Sequence, residues 1–339
     1  AVAFAKATRN RGRKRRKGGD VAGETGHFDF GGVRFGMMAW RASALGAGKG
    51  GGAAAPVVLL HGFAQSAASW DEVADAIAHE MGRPVLALDS MGHGESDRPD
   101  SDGPYDLGFQ ARAVLAFCEF AAQTEGERPM LVGYSMGGRV ALQAACLAVG
   151  GLRSGSGASV PKDGVPFSAL VLESAGLGPV DNAEREALRE RNFAWAQRVR
   201  REGVPDFMEW WENLPLFESQ RKLDEVVQAR LRAGRLANDA ESLALAFERA
   251  GAHAMPLRQE AVGALCALAR WGVPVSYLAG ELDAKYLKAL DALHEETRGF
   301  VSCHVIPNAG HNIHLERPES FVRAVGGILC GQPPRNDAE

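Results

Sequence analysis

The chain has 339 residues, 46% hydrophobic and 24% charged, with a formal net charge of −4. That balance is ordinary for a globular protein of one large or two small domains, and it excludes a fibrous or wholly disordered chain. No apolar run approaches the roughly 18 residues of a membrane span, and the acidic total argues against nucleic acid as the main partner.

Residues 1–26 stand apart. Lys6 to Lys17 carries eight basic residues and no acid. The segment reads as a basic, disordered tail outside the fold, with an organelle-targeting segment as the alternative. Its arginines fit targeting and its shortage of serine does not. The five cysteines, Cys118, Cys146, Cys266, Cys303 and Cys330, are odd in number and scattered. They have neither zinc spacing nor a disulfide framework, which predicts a reducing compartment.

Phe28 to Trp40 reads as a hairpin with a Gly-Gly turn, and the Gly/Ala-rich 42–55 as its loose connection. Pro56 to Leu60 is a continuous apolar run, the mark of a buried parallel strand, and it ends in His61-Gly62-Phe63. A helix over Ser69–His79, a second buried strand over Pro84–Asp89 and a helix over Phe109–Ala122 follow. Met130 to Gly133 is another strand, running into Tyr134-Ser135-Met136-Gly137-Gly138 and a helix over Arg139–Val149. The Gly/Ser-rich 150–166 reads as a loop, and Ala169–Leu172 as a strand. From 181 to 262 only helical patterns occur: Ala183–Arg201, Val204–Asn213, Asp224–Leu236 and Glu241–Ala250. Strands over Val273–Leu278 and Cys303–Ile306 and a helix over Arg317–Leu329 close the chain.

Strand and helix therefore alternate, pause for an all-helical block, and resume. The expectation is an α/β fold, a mostly parallel central sheet flanked by helices, with an inserted helical cap. The divisions are a tail at 1–26, core at 27–180, cap at 181–262, core at 263–330 and a C-terminal tail at 331–339.

Gly133-Tyr134-Ser135-Met136-Gly137 fits G-x-S-x-G. With 41 Gly in the chain that pattern arises by chance about 0.25 times, so its weight rests on the strand before it and the helix after it. A serine hydroxyl needs a neighbour to take its proton, normally a histidine oriented by a carboxylate. Asp283 follows the strand Val273–Leu278, and His311 follows Cys303–Ile306. The order serine, carboxylate, histidine is that of the α/β-hydrolase fold. Glu281 is the competing carboxylate, and helix capping is the alternative role for Asp283. His311 and His314 form an H-x-x-H pair with no third metal ligand nearby. His93, in a Gly-rich turn, reads as structural and His253 as an ordinary cap residue. An oxyanion hole would use the backbone N–H groups of Phe63 and Met136.

Arg139 lies one turn into the helix that follows Ser135, and Lys285 two residues after Asp283. The cap, from Arg185 to Arg258, carries 12 Arg and one Lys, Lys222. Arginine suits bidentate carboxylate recognition, although many of these cations have acids on the same helix faces. A subset turned inward implies a substrate with several carboxylates.

Taken together, His61-Gly62-Phe63, Gly133-Tyr134-Ser135-Met136-Gly137-Gly138-Arg139 and Asn182-Ala183-Glu184 resemble one family. The match continues through Glu209-Trp210-Trp211, Pro215-Leu216-Phe217, Gly280-Glu281-Leu282-Asp283-Ala284-Lys285 and Cys303-His304-Val305-Ile306-Pro307 with Ala309-Gly310-His311-Asn312. The family is the MenH family of 2-succinyl-6-hydroxy-2,4-cyclohexadiene-1-carboxylate (SHCHC) synthases, enzymes of menaquinone biosynthesis with the α/β-hydrolase fold. The resemblance spans roughly residues 28–330. It implies a triad of Ser135, Asp283 and His311, with substrate contacts from Tyr134, Arg139 and a cap tryptophan, here Trp210. It also implies two cap arginines. Arg235 matches one, and Arg189 is chosen from the run Arg185–Arg191, where the match slips by a residue. With Lys285 these are the substrate-binding candidates. The implied reaction is a carbon–oxygen lyase step: loss of pyruvate from 2-succinyl-5-enolpyruvyl-6-hydroxy-3-cyclohexene-1-carboxylate (SEPHCHC), with no cofactor or metal. A small polycarboxylate is then the ligand, a monomer the expected state and the cytoplasm the expected location. A serine hydrolase of the same fold is the competing reading, and a ligand-binding receptor with an idle triad is a third.

Overall fold

The structure is a computed structural model that describes residues 23–41, 54–154 and 164–331. The basic tail, except for 23–26, lies outside the described residues, as do most of the two Gly-rich segments and 332–339.

A hairpin of β1 (Glu24–Phe30) and β2 (Val33–Trp40) opens the fold. Its turn is Gly31-Gly32, both at positive φ (60° and 83°), which glycine adopts without steric cost. Next come β3 (Val57–Leu60), a short 3-10 turn (Ala67–Trp70) and α1 (Asp71–Glu80). They lead into β4 (Val85–Leu88), α2 (Leu107–Glu125), β5 (Met130–Tyr134), α3 (Met136–Ser154) and β6 (Ala169–Glu173). The strands assemble in the order β1-β2-β4-β3-β5-β6, continued by β7 (Val275–Gly280) and β8 (Ser302–Ile306). From β4 to β8 every pairing is parallel, while β1–β2 and β2–β4 are antiparallel.

The inner strands read as unbroken apolar runs because both faces are covered. Along β3 and β5, Val58, Leu60 and Leu131 point to one face, where Val114 and Phe117 of α2 pack. Val57, Leu59, Met130 and Val132 point to the other, against Trp70, Ile77 of α1 and Phe321 of α10 (Pro318–Leu329). The alternation follows the two-residue period of a strand.

Between β6 and β7 the chain leaves the sheet to build the cap from α4 (Asn182–Glu212), α5 (Glu225–Leu236) and α6 (Ala240–Ala250). Asp181 caps α4 by accepting from Glu184 N–H at 2.8 Å, and Glu184 reaches back to accept from Val180 N–H at 2.7 Å. Within α4 the two helices expected over 183–213 are present, separated at Gly203, whose φ of 78° and ψ of 168° are not helical, with Pro205 opening the second. The cap has its own core, with Val199, Phe207, Met208, Trp211, Leu243 and Phe247 packed around Ala64 and Phe63 of the loop after β3.

The structure departs from expectation in three places. The helix after Ser135 begins at Met136 and runs to Ser154, through Gly150 and Gly151, so the first residues of the expected loop are helical, while 155–163 lie outside the described residues. The expected seam at 262/263 falls inside α7 (Arg258–Arg270), whose Ala261, Val262, Leu265 and Leu268 belong to the sheet's core. Finally, α8 (Ala284–Thr297) occupies a stretch where no helix is expected. The short α9 (Ile313–Glu316) precedes α10.

Candidate active site

Ser135 sits between β5 and α3 at φ 50°, a left-handed conformation that is strained for serine. The turn is sharp because its neighbours are glycines. A Cβ on Gly133 would come within 2.6 Å of Gly137 O. Two backbone bonds fix the turn: Ser135 N–H donates to Glu173 O at 2.9 Å, and Gly137 N–H donates to His61 O at 3.0 Å. The second ties the loop after β3 to the serine. Met136 is the first residue of α3, so its N–H has no intrahelical acceptor. Phe63 N–H lies on the tethered loop. These are the two groups expected at an oxyanion hole.

His311 lies after β8. Its Nδ1 is 2.7 Å from Asp283 Oδ2, and its Nε2 is 3.0 Å from Ser135 Oγ. An ionised carboxylate only accepts, so Nδ1 carries the proton and Nε2 is left to accept from the serine hydroxyl. Asp283 and His311 are both buried. Asp283 also caps α8, its Oδ1 accepting from Tyr286 N–H at 3.2 Å. The competing Glu281 is exposed and accepts from Asn308 N–H at 2.8 Å, which holds the turn before His311 rather than the imidazole.

Behind this chain lies a second histidine–carboxylate pair. His314 Nδ1 is 2.8 Å from Glu173 Oε2, both groups are buried, and Trp70 stacks on His314 at 3.7 Å. Tyr134 fills the space between, 5.4 Å from His311 and 4.9 Å from His314. Burial pushes its hydroxyl well above the usual range, so it stays protonated. His61 and His93 are fully buried neutral imidazoles. His61 Nδ1–H donates to Gly62 O at 2.7 Å and Nε2 accepts from Ser90 N–H at 2.9 Å. Burial holds His61 down at about 4 and His93 at about 3.

The cations divide into two groups. No carboxylate among the described residues pairs with Arg139, and its buried Nε has no partner. Burial pulls its pKa down to about 10, helped by the charge of Arg191. Arg191 is shifted down too, again mainly by burial, and it stacks on Trp195 at 4.6 Å. Both feel Tyr286, whose ring is 4.8 Å from His311. Arg235 is buried, 5.3 Å over Phe217, bound to Glu212 at 3.1 Å and donating to Gln220 Oε1 at 2.9 Å. Arg189, by contrast, is exposed and paired with Glu186 at 3.5 Å. Of the run Arg185–Arg191, Arg191 is the one whose charge acts on Arg139, while Arg189 and Arg139 both act on His253. Lys285 is exposed, its Nζ 5.0 Å over Tyr286.

The tryptophans show a similar difference. Trp210 packs among Arg198, Trp195 and Phe207 within the cap. Trp211 meets Phe63 at 5.0 Å and Phe217 at 5.6 Å, and Phe217 stands edge-on to His311 at 5.9 Å. Trp211 is therefore the neighbour of the loop after β3. Trp211, Phe217, Tyr286 and Glu173 lie around the triad without being among the site candidates read from the sequence, and Arg191 is one of the alternatives in the run Arg185–Arg191. One signal was available for Glu173: an acid closing a buried apolar strand, in register with Tyr134.

The fold is shared with known proteins. The profile of the alpha/beta hydrolase family matches residues 57–324. A relative from Salmonella agona (strain SL483), named 2-succinyl-6-hydroxy-2,4-cyclohexadiene-1-carboxylate synthase, is 33% identical over 273 residues, covering 80% of this chain and 93% of its own. The structure of MenH from S. aureus superposes with a TM-score of 0.71 at 25% identity, covering 87% of this chain and 98% of that one. A thermophilic esterase from Thermogutta terrifontis superposes with a TM-score of 0.66 at 22% identity, covering 88% and 94%, a likeness of fold alone.

Proposed function

The chain belongs to the alpha/beta hydrolase family, and from that membership and its relatives we propose that it is an SHCHC synthase of menaquinone biosynthesis. The observation that carries this reading is the pairing of a complete Ser135–His311–Asp283 chain with Arg139, an arginine without a carboxylate partner among the described residues. An enzyme for neutral esters has no use for that cation, whereas a polycarboxylate substrate supplies its missing partner.

In the proposed reaction His311 Nε2 takes the Ser135 proton, and the serine oxygen removes a ring proton from SEPHCHC. The C–H electrons move into the ring as a double bond. The C–O bond to the enolpyruvyl group breaks, and that group leaves with the electron pair as the enolate of pyruvate. The ring proton restores the Ser135 hydroxyl, and His311 gives its proton to the departing enolate, which becomes pyruvate. Ser135 acts as a base and forms no acyl intermediate. Charge developing on the substrate is met by the Phe63 and Met136 N–H groups. Arg139, Arg191 and Arg235 are assigned to the substrate carboxylates, with Trp211 and Phe217 over the ring. Asp283 holds the imidazole in its working tautomer.

No helix among the described residues is long and apolar enough to cross a membrane, and a cytoplasmic, monomeric enzyme acting on a small diffusible substrate fits this reading. Serine hydrolysis is the second reading, because a serine hydroxyl 3.0 Å from His311 Nε2 also suits ester cleavage. The test is pyruvate release from enzymatically prepared SEPHCHC by wild type, Ser135→Ala and Arg139→Ala. Fast release, lost in both variants, is the expected result. Release at the spontaneous rate, with good turnover of aryl esters, would replace the synthase by a hydrolase.

A further inference from the structure

His311 is carried on a tight segment, Gly310-His311-Asn312, and the two backbone N–H groups flanking it share one acceptor. Gly310 N–H donates to Glu316 Oε2 at 2.7 Å, and Asn312 N–H donates to Glu316 Oε1 at 3.2 Å. Glu316 is buried, at 5% exposure. Its remaining partner comes from the cap, where the Ser219 hydroxyl donates to the same carboxylate. Among the described residues its hydrogen-bond partners are these three donors, the environment of an ionised carboxylate. Burial works in the opposite direction and raises its pKa.

Ser219 lies in the cap's 3-10 segment Pro215–Lys222, which also carries Phe217 against His311 and Gln220 against Arg235. The fit at Ser219 is close: a Cβ on Gly310 would collide with its hydroxyl oxygen. The histidine's backbone is thus clamped by a carboxylate that takes one of its hydrogen bonds from the cap.

We propose that Glu316 is the positioning residue for His311, and that the Ser219–Glu316 hydrogen bond makes the placement of His311 depend on the seating of the cap. Glu316 touches no substrate. It acts through the two N–H groups beside the imidazole, and a shift of about 1 Å in a reacting group can cost around a hundredfold in rate. Because the 217–220 segment also reaches Arg235, occupation of the carboxylate site and alignment of the base share one rigid piece of chain. The proposal rests on the triad reading and not on the identity of the substrate.

Its test uses full-length protein and a fluorophosphonate that modifies the activated serine, with the per-site labelling rate constant of Ser135 as readout. The low-field proton resonance of the His311 Nδ1–H bond to Asp283, assigned by its loss in His311→Gln, reports imidazole placement directly. Glu316→Gln keeps the volume but sets an amide donor against N–H groups. It should slow labelling by about ten- to a hundredfold and shift or broaden the resonance. Ser219→Ala, a cap change outside the sheet core, should slow labelling severalfold in wild type and have no further effect in Glu316→Gln, since coupled residues are non-additive. Equal per-site rates and an unmoved resonance in both variants would overturn the proposal. Effects that simply add would overturn the link to the cap. A wild type that does not label at Ser135 would remove the triad reading, and this proposal with it.

Discussion

Asp283 divides its carboxylate between two partners: Oδ2 receives the His311 Nδ1–H at 2.7 Å, and Oδ1 receives the Tyr286 N–H that starts α8 at 3.2 Å. Helix capping and histidine orientation are two uses of one side chain. The helix fixes the carboxylate, and the carboxylate fixes the imidazole.

Asp283→Asn should separate these uses. The amide can still present oxygen to Tyr286 N–H, so the cap survives, but its NH₂ group then faces Nδ1 and favours the wrong tautomer. Turnover should fall by about a thousandfold or more, with the thermal midpoint nearly unchanged. Asp283→Ala should lose the same activity and in addition about 1 kcal/mol of stability from the missing cap. Pyruvate release and thermal melting of the two variants measure the difference. A fall in stability with Asn equal to that with Ala would contradict the division.

Arg139 should behave in the opposite way. Arg139 is partly buried and has no carboxylate partner among the described residues, an arrangement that costs the folded state, so Arg139→Met should leave the thermal midpoint unchanged or raise it. It should also lower kcat/KM for SEPHCHC by about 10- to 100-fold, corresponding to a lost charge-assisted bond of about 1.5–3 kcal/mol. A variant that is both destabilised and fully active would show that the guanidinium is structural.

The sheet was legible because β3, β4 and β5 are short apolar runs buried on both faces, and the triad because its members close strands in a fixed order. The helix α8 shows why other parts were not. Tyr286, Leu290, Leu293 and Thr297 are its buried stripe, spaced as a helix requires. Treating catalysis and capping as alternative roles for Asp283 conceals it. Glu173 and His314 are 141 residues apart, and nothing local in either segment announces the other. The choice among Arg185, Arg189 and Arg191 depends on the rotation of α4 about its axis, which a run so rich in charge does not specify.

That rotation gives a paired prediction. Arg191→Ala and Trp211→Ala should each impair turnover of SEPHCHC, because the Arg191 charge acts on Arg139, and Trp211 meets Phe63 and Phe217. Arg191→Ala should raise KM by about tenfold, the value of one charge-assisted contact. Arg189→Ala should stay within about twofold, since an exposed pair contributes little. Trp210→Ala should mainly lower stability through its lost cap packing. Steady-state kinetics on the four proteins would reverse the assignment if Arg189 and Trp210 proved the sensitive positions.

The buried histidines predict how the fold responds to acid. His61 and His93 are held at about 4 and about 3 in the folded protein, against about 6.5 when unfolded. Below pH 6.5 the unfolded chain therefore takes up protons that the folded chain refuses. Stability is full above that pH and falls as the solution is acidified toward the folded values, by about 1.4 kcal/mol per pH unit for each histidine. Asp89, raised by burial, gains its proton in the folded state first and opposes this trend. A comparison of two proteins isolates the histidine contribution. His93→Gln can still donate to Met91 O, the acceptor that His93 Nδ1 reaches at 3.1 Å, but it binds no proton when unfolded. Urea unfolding between pH 7 and pH 5 should give His93→Gln a shallower slope than wild type by about 1.4 kcal/mol per pH unit below pH 6.5. Identical slopes would mean that His93 is protonated in the folded state, and the neutral cluster beneath the Phe63 loop would have to be redrawn with a charge in it.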